Sequence, residues 1–252
     1  LMSSTRNNVY SPPFDRSSDK PLIAVTDEGE IARSVASYLD EEVIVATSSD
    51  VVLRERPRAV IHTFEVEGDE RSMWNVNVWF AVNIARAANR VGAVNVFLSS
   101  YMIFDGRKGY YSETSVPRPL NYYGMTKLVA ETAIASLGNY LILRLGQVNT
   151  RGFMRPVVRA LLKGRKVRCN SNLYLSPISL RELGQAIRLL LSKEARGVIN
   201  LGGKRMSQFK LCQSLAEALG GEAVPFEGRE LDFSLDDWLM RSYGVTVRGT
   251  EI

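Results

Sequence analysis

Val96 to Gly106 reads V-F-L-S-S-Y-M-I-F-D-G, and Asn121 to Glu131 reads N-Y-Y-G-M-T-K-L-V-A-E, with a turn-rich insert between them. The first segment is a short apolar run ending in two hydroxyl residues, Ser99 and Ser100. It predicts a buried strand that delivers a serine at its C-terminal end. The second segment sets Tyr123 and Lys127 one helical turn apart at the start of a helix, so phenol and ammonium share a face. A free phenol has a pKa of about 10. A lysine charge about 4 Å away in a partly buried site is worth on the order of 4 kcal/mol at an effective dielectric near 20. That interaction is expected to draw the Tyr123 pKa down toward neutrality. Ser100 would hold a carbonyl oxygen while Tyr123 supplies the proton. Such a set suits the reduction of a ketone by a hydride donor.

A Ser…Tyr-x-x-x-Lys set resembles the catalytic residues of the short-chain dehydrogenase/reductase superfamily. The longer pattern is similar to the extended branch that acts on nucleotide sugars, and within it to the dTDP-4-dehydrorhamnose reductase family. There the serine strand runs roughly I-S-T-D-Y-V-F-D-G, followed by Y-x-E-x-x-x-P-x-P-x-N-x-Y-G-x-x-K. Here Ser99 to Gly106 is followed by Tyr111, Glu113, Pro117, Pro119, Asn121, Tyr123, Gly124, Lys127 and Glu131. The resemblance runs from about Pro21 to Gly244. It implies an α/β Rossmann-like fold, a doubly wound parallel sheet with a small C-terminal substrate-binding lobe. Residues 21–150 are expected to form the dinucleotide-binding core. Residues 151–252 would form mainly the lobe, with segments returning to the core.

The resemblance also assigns roles. Ser100, Tyr123 and Lys127 are the expected catalytic residues, Lys127 also anchoring the ribose of NADP or NAD. Thr26, Gly29, Glu30, Ile31, Thr63 and Phe64 fall where the cofactor lies. Tyr101, Phe153 and Ser176 fall beside the substrate, Ser176 within Leu175-Ser176-Pro177-Ile178, a turn the family sets there. Tyr101 stands where the family usually carries an aspartate, so the sugar is expected to differ.

Two departures bear on the cofactor. The family's T-G-x-x-G-x-x-G turn is here Val25-Thr26-Asp27-Glu28-Gly29-Glu30-Ile31-Ala32, with only the middle glycine kept. Ala32 is a mild change, whereas Thr26 replaces the glycine that permits the tight turn. Asp27, Glu28 and Glu30 surround a place built for phosphate. Then Phe64-Glu65 stands where the family sets small residues against the cofactor. No acid or base ends the second strand cleanly, so a choice between NAD and NADP is not legible.

Elsewhere the pattern predicts strands at Pro21–Thr26, Glu42–Ala46, Arg58–Thr63 (matched to the superfamily's fourth strand), Tyr140–Leu145 and Gly197–Leu201. Helices are expected at Ile31–Leu39, Pro156–Leu162, Leu180–Leu191 and Ser207–Leu219. Asn77 matches a helix asparagine of the family, and Asp232 to Asp236 its closing S-L-D element. Arg151, Arg155, Arg159 and Lys163 recur every four residues and read as a solvated basic face rather than a phosphate contact. Residues 1–20 are polar and turn-rich, a tail with Val9, Tyr10 and Phe14 as its expected anchors.

The 252 residues are 45% hydrophobic, enough for a sizeable core, and carry a net charge of +5. No apolar run suits a membrane span, and nothing resembles a cleavable signal peptide. One histidine, His62, excludes histidine-based metal clusters and Ser-His-Asp triads. Cys169 and Cys212 offer no disulfide framework, which favours a reducing cytoplasm. No nucleic-acid module accompanies the positive charge.

The complete Ser100, Tyr123 and Lys127 set favours an NAD(P)H-dependent reductase of a 4-keto nucleotide sugar, resembling dTDP-4-dehydrorhamnose reductase. The altered turn and Phe64-Glu65 favour an impaired relative acting as a binding or regulatory subunit, a use of this scaffold known in methionine adenosyltransferase. A homodimer or a partner protein would complete either. The two part company at the Thr26–Ala32 turn. Free backbone N–H groups facing Tyr123 would permit hydride chemistry, whereas a Phe64 ring or Glu30 carboxylate in the cleft would end it.

Overall fold

Short apolar segments that cannot bury themselves alone pair here into one parallel sheet. The computed structural model describes residues 21–251, and the tail with Val9, Tyr10 and Phe14 lies outside them. The strands are β1 (Leu22–Val25), β2 (Glu42–Val45), β3 (Ala59–His62), β4 (Val94–Ser100) and β5 (Tyr140–Leu145). Beyond two lobe strands, β6 (Lys166–Asn170) and β7 (Leu173–Leu175), comes β8 (Gly197–Leu201). The sheet order is β2-β1-β3-β4-β5-β8. The segment matched to the family's fourth strand is third in this chain. A single helix, α2 (Ser49–Glu55), leads from the edge strand β2 to β3, which pairs directly with β1.

Alternate residues of the strands feed opposite faces of the sheet. Ile23, Val25, Ile61, Val96, Leu98, Leu141 and Leu143 pack with α1 (Glu30–Ala36) and with α7 (Leu180–Ser192). Ala24, Val60, Phe97 and Ile142 face the other way, toward α2, α4 (Ala81–Arg90) and α5 (Tyr122–Ala135). All seven residues of β4 are buried, as a strand covered on both faces requires. One continuous helical run reaches α4: α3 (Glu70–Met73), then a π-helical stretch from Trp74 to Phe80. Asn77 on that stretch holds the loop before it, accepting from the Val66 N–H and donating to the Val66 carbonyl, both at 2.9 Å.

The lobe gathers α6 (Met154–Leu161), α8 (Gln208–Leu219) and two small sheets. In one sheet β6 pairs with β10 (Glu222–Phe226). In the other β7 lies between β9 (Met206–Ser207) and β11 (Leu231–Asp232). A short helix, α9 (Trp238–Ser242), then packs against β8. Met154, Leu161, Leu175, Leu211 and Leu215 form the lobe core, which continues into Phe104 and Tyr111 beside the main sheet. No helix among the described residues is long and apolar enough to cross a membrane.

The expectation that Cys169 and Cys212 offer no disulfide framework is corrected. Cys169 on β6 and Cys212 on α8 are fully buried and joined by a disulfide, their Cα atoms 6.6 Å apart. Composition could not reveal this pairing, because it depends on α8 folding back over β6 across 43 residues of sequence. The pairing removes the ground on which a reducing compartment was expected. In the chain-entropy account, a loop of this separation is worth about 4 kcal/mol. Replacing both cysteines with alanine should lower unfolding stability by about that amount in urea denaturation. Equal stability of the variant and the oxidised protein would contradict a bridging role.

Candidate active site

A parallel sheet of this kind opens its ligand crevice at the carboxyl ends of the strands, where neighbouring crossovers part. Here the crossovers part between β1 and β3, and the cavity lies beside that point, over the ends of β4 and β5. Two devices bring the expected catalytic residues to it. Asn121 caps α5 by accepting from the Gly124 N–H at 2.8 Å, so Tyr123 occupies the first helical turn. Gly124 then lets the helix approach the carbonyl of Met102, leaving no room for a Cβ. Beneath this contact a buried network locks the register. Ser99 donates to Glu131 Oε2 at 2.6 Å, and Arg144 binds Glu131 Oε1 through Nη2 at 2.6 Å. Breaking such a buried pair typically costs about 3–5 kcal/mol.

Ser100, Tyr101, Tyr123 and Phe153 line one cavity of about 550 Å³. Ser100 accepts from the Met102 N–H at 3.1 Å, and the buried Tyr101 hydroxyl donates to Gln147 at 2.9 Å. Burial, followed by the charge of Glu67, raises the Tyr101 pKa. Ser176 is not on this cavity. Its hydroxyl is fully buried and accepts from the Leu235 N–H at 3.0 Å, a structural joint between lobe and sheet.

The centre of the site is a residue the sequence marked only by its bulk. Glu65 Oε2 accepts from the Tyr123 hydroxyl at 3.1 Å and from Lys127 Nζ at 2.9 Å. Glu65 Oε1 accepts from Arg151 Nη2 at 3.1 Å. Lys127 is 3% exposed and also lies 4.7 Å over the Phe97 ring. Burial works to raise the Glu65 carboxyl, but Lys127 and Arg151 outweigh it and hold the group below its ordinary value. Tyr123 moves the other way, pushed well above the ordinary phenol pKa by burial and then by the Glu65 charge. The expected lowering by Lys127 is thus reversed, first by burial of the phenol and then by the carboxylate beside it. Arg151 also departs from its expected place. It turns inward to Glu65, while Arg155, Arg159 and Lys163 remain exposed.

The turn after β1 holds a second carboxylate. Asp27 Oδ1 accepts from the Thr63 hydroxyl at 2.6 Å, and its Oδ2 accepts from the Gly29 N–H at 3.1 Å. Thr26 and Thr63 are buried against each other, and the Thr26 hydroxyl accepts from the N–H groups of Thr63 at 3.0 Å and Phe64 at 2.9 Å. Neither of the two anticipated blockers closes the cleft. Glu30 is exposed on α1, and the Phe64 ring meets Phe80 edge-on. Asp27 takes the N–H in their place. Ile31 is buried and lines the cavity.

Comparison with known proteins adds the family. The RmlD substrate binding domain matches residues 30–229. The chain belongs to that family. It resembles the crystal structure of a hypothetical dTDP-4-dehydrorhamnose reductase from Sulfolobus tokodaii, at 27% identity and a TM-score of 0.75. That match covers 88% of this chain and 94% of the other. A dTDP-4-dehydrorhamnose reductase from Bacillus anthracis, solved with NADP, shares the fold at 19% identity and a TM-score of 0.79, covering 92% and 95% of the two chains. Among curated proteins, the methionine adenosyltransferase 2 subunit beta of Xenopus laevis is 36% identical over 104 residues. That match takes in 39% of this chain and spans only 30% of that relative's length.

His62, at the end of β3, reports on the burial of this region. Burial lowers its pKa from 6.5 to about 4, against a hydrogen bond with Asn95 that raises it. The unfolded chain therefore takes up a proton that the folded protein refuses. Nothing is lost above about pH 6.5, and stability falls on acidification by roughly 3 kcal/mol near pH 4. The stability gap between the wild type and His62→Gln should narrow over that window in denaturant titrations. A gap independent of pH would contradict a buried neutral imidazole.

Proposed function

We propose that this chain is a reductase-like protein that presents a nucleotide-sugar-type cavity as a binding or regulatory subunit and has given up hydride transfer. The observation that carries the reading is the Glu65 carboxylate on both Tyr123 and Lys127. A proton donor at this position needs its pKa drawn toward the working pH, whereas Tyr123 is raised. The similarity to methionine adenosyltransferase 2 subunit beta supports a subunit role.

The fold family implies NAD or NADP, and the residues present do not fit it as they stand. A dinucleotide's pyrophosphate would meet Asp27 on the Gly29 N–H, where the turn should offer free donors. Its ribose would meet Glu65 on Lys127. Both places expected to receive the cofactor carry a carboxylate.

A second reading, a working reductase of a 4-keto nucleotide sugar, draws support from Ser100, Tyr101 and Tyr123 lining one open cavity. Titration calorimetry with NADH and NADPH, combined with cofactor oxidation assays on keto-sugar nucleotides, separates the two. The proposal expects no binding at millimolar cofactor and no turnover. Cofactor oxidation that disappears in Tyr123→Phe would establish the reductase instead.

A further inference from the structure

Lys127 and Arg151 approach one another from α5 and from the segment before α6, both largely out of water. A buried lysine beside a partly covered arginine needs a counter-charge, because an uncompensated buried charge costs several kcal/mol. The chain meets this demand with its own side chain. Three donors, Tyr123 Oη, Lys127 Nζ and Arg151 Nη2, converge on the two oxygens of Glu65.

We infer that Lys127, Arg151 and Tyr123 form an oxyanion-binding station, and that Glu65 is its built-in occupant, a masking ligand for a small carboxylate or phosphate. This rests on the same reading of the cleft as carboxylate-filled, and concerns which ligand it takes rather than whether hydride moves. The backbone on either side of Glu65 is fixed. Before it, the Phe64 N–H is held by Thr26 at 2.9 Å. After it, Val66 is bonded through its N–H and its carbonyl to Asn77, both at 2.9 Å. Unmasking therefore needs only rotation of the Glu65 side chain into the cavity it already lines, with no movement of the loop. The station left behind offers three charged or polar donors to an anion of carboxylate size. Charge-assisted hydrogen bonds from such donors are the strong kind.

Glu65→Ala exposes the station without adding a group. Thermal denaturation of this variant, titrated with acetate and separately with inorganic phosphate, should show a saturable rise in midpoint. The wild type should show none. Combining it with Lys127→Met should weaken the apparent affinity by about tenfold or more, the worth of one charged hydrogen bond. Preference for acetate or for phosphate identifies the natural class of oxyanion. A folded Glu65→Ala that responds to neither anion overturns the inference.

Should that variant fail to fold, the wild type still decides. With carbon-13 in its glutamate carboxyls, and Glu65→Gln to assign the signal, Glu65 should titrate below ordinary glutamate. An ordinary or raised value means that the cations are not paired with it, and the inference falls. Both readouts are independent of turnover. A protein that reduces keto sugars would defeat the proposed function while leaving the anion titration to be judged by itself.

Discussion

The site depends on one carboxylate between two cations. Glu65 balances the charges of Lys127 and Arg151, and it accepts a hydrogen bond from the Tyr123 hydroxyl as a third contact. In the arrangement expected from sequence, Lys127 acts on Tyr123 and lowers its pKa. In the structure Lys127 acts on Glu65, while burial and then Glu65 act on Tyr123 in the opposite sense. Tyr123 and Lys127, two of the three expected catalytic residues, thus join an ion network centred on Glu65.

A second set of contacts holds the scaffold beneath this network. Ser99, Glu131 and Arg144 tie β4, α5 and β5 together under the cavity. Gly124 allows the close approach of α5 to the turn after β4. These contacts keep Ser100 and Tyr123 on one cavity, whatever chemistry is left there. Retention of the Ser, Tyr and Lys set is therefore weaker evidence of activity than its spacing suggests, since the charges around the set decide what it does.

The sheet and its strand-to-helix order were legible because each strand is a local apolar run and each helix a local periodicity. The segments V-F-L-S-S and Y-Y-G-M-T-K fall on β4 and α5 as their patterns require. What was not legible acts across sequence. Glu65 was visible as a bulky replacement for a small residue, but its partners lie 58, 62 and 86 positions away. Arg151 fitted a helical stripe by spacing, yet it precedes α6 and answers to Glu65. The three acids of the first turn, Asp27, Glu28 and Glu30, are plain in the sequence. Asp27 reaches the Gly29 N–H two residues on, a local turn, whereas its contact with the Thr63 hydroxyl exists only in the folded sheet. The Cys169–Cys212 bridge was hidden for the same reason.

The most direct test of this account is the ionisation of Tyr123 itself. Tyrosine carrying carbon-13 at the hydroxyl-bearing ring carbon, with Tyr123→Phe to assign the signal, reads that pKa by NMR without any cofactor or substrate. The account predicts that Tyr123 stays protonated throughout the neutral range and past the ordinary phenol value of 10. A Tyr123 signal that titrates near neutrality would contradict it, because the Lys127 charge would then be acting on the phenol rather than on Glu65.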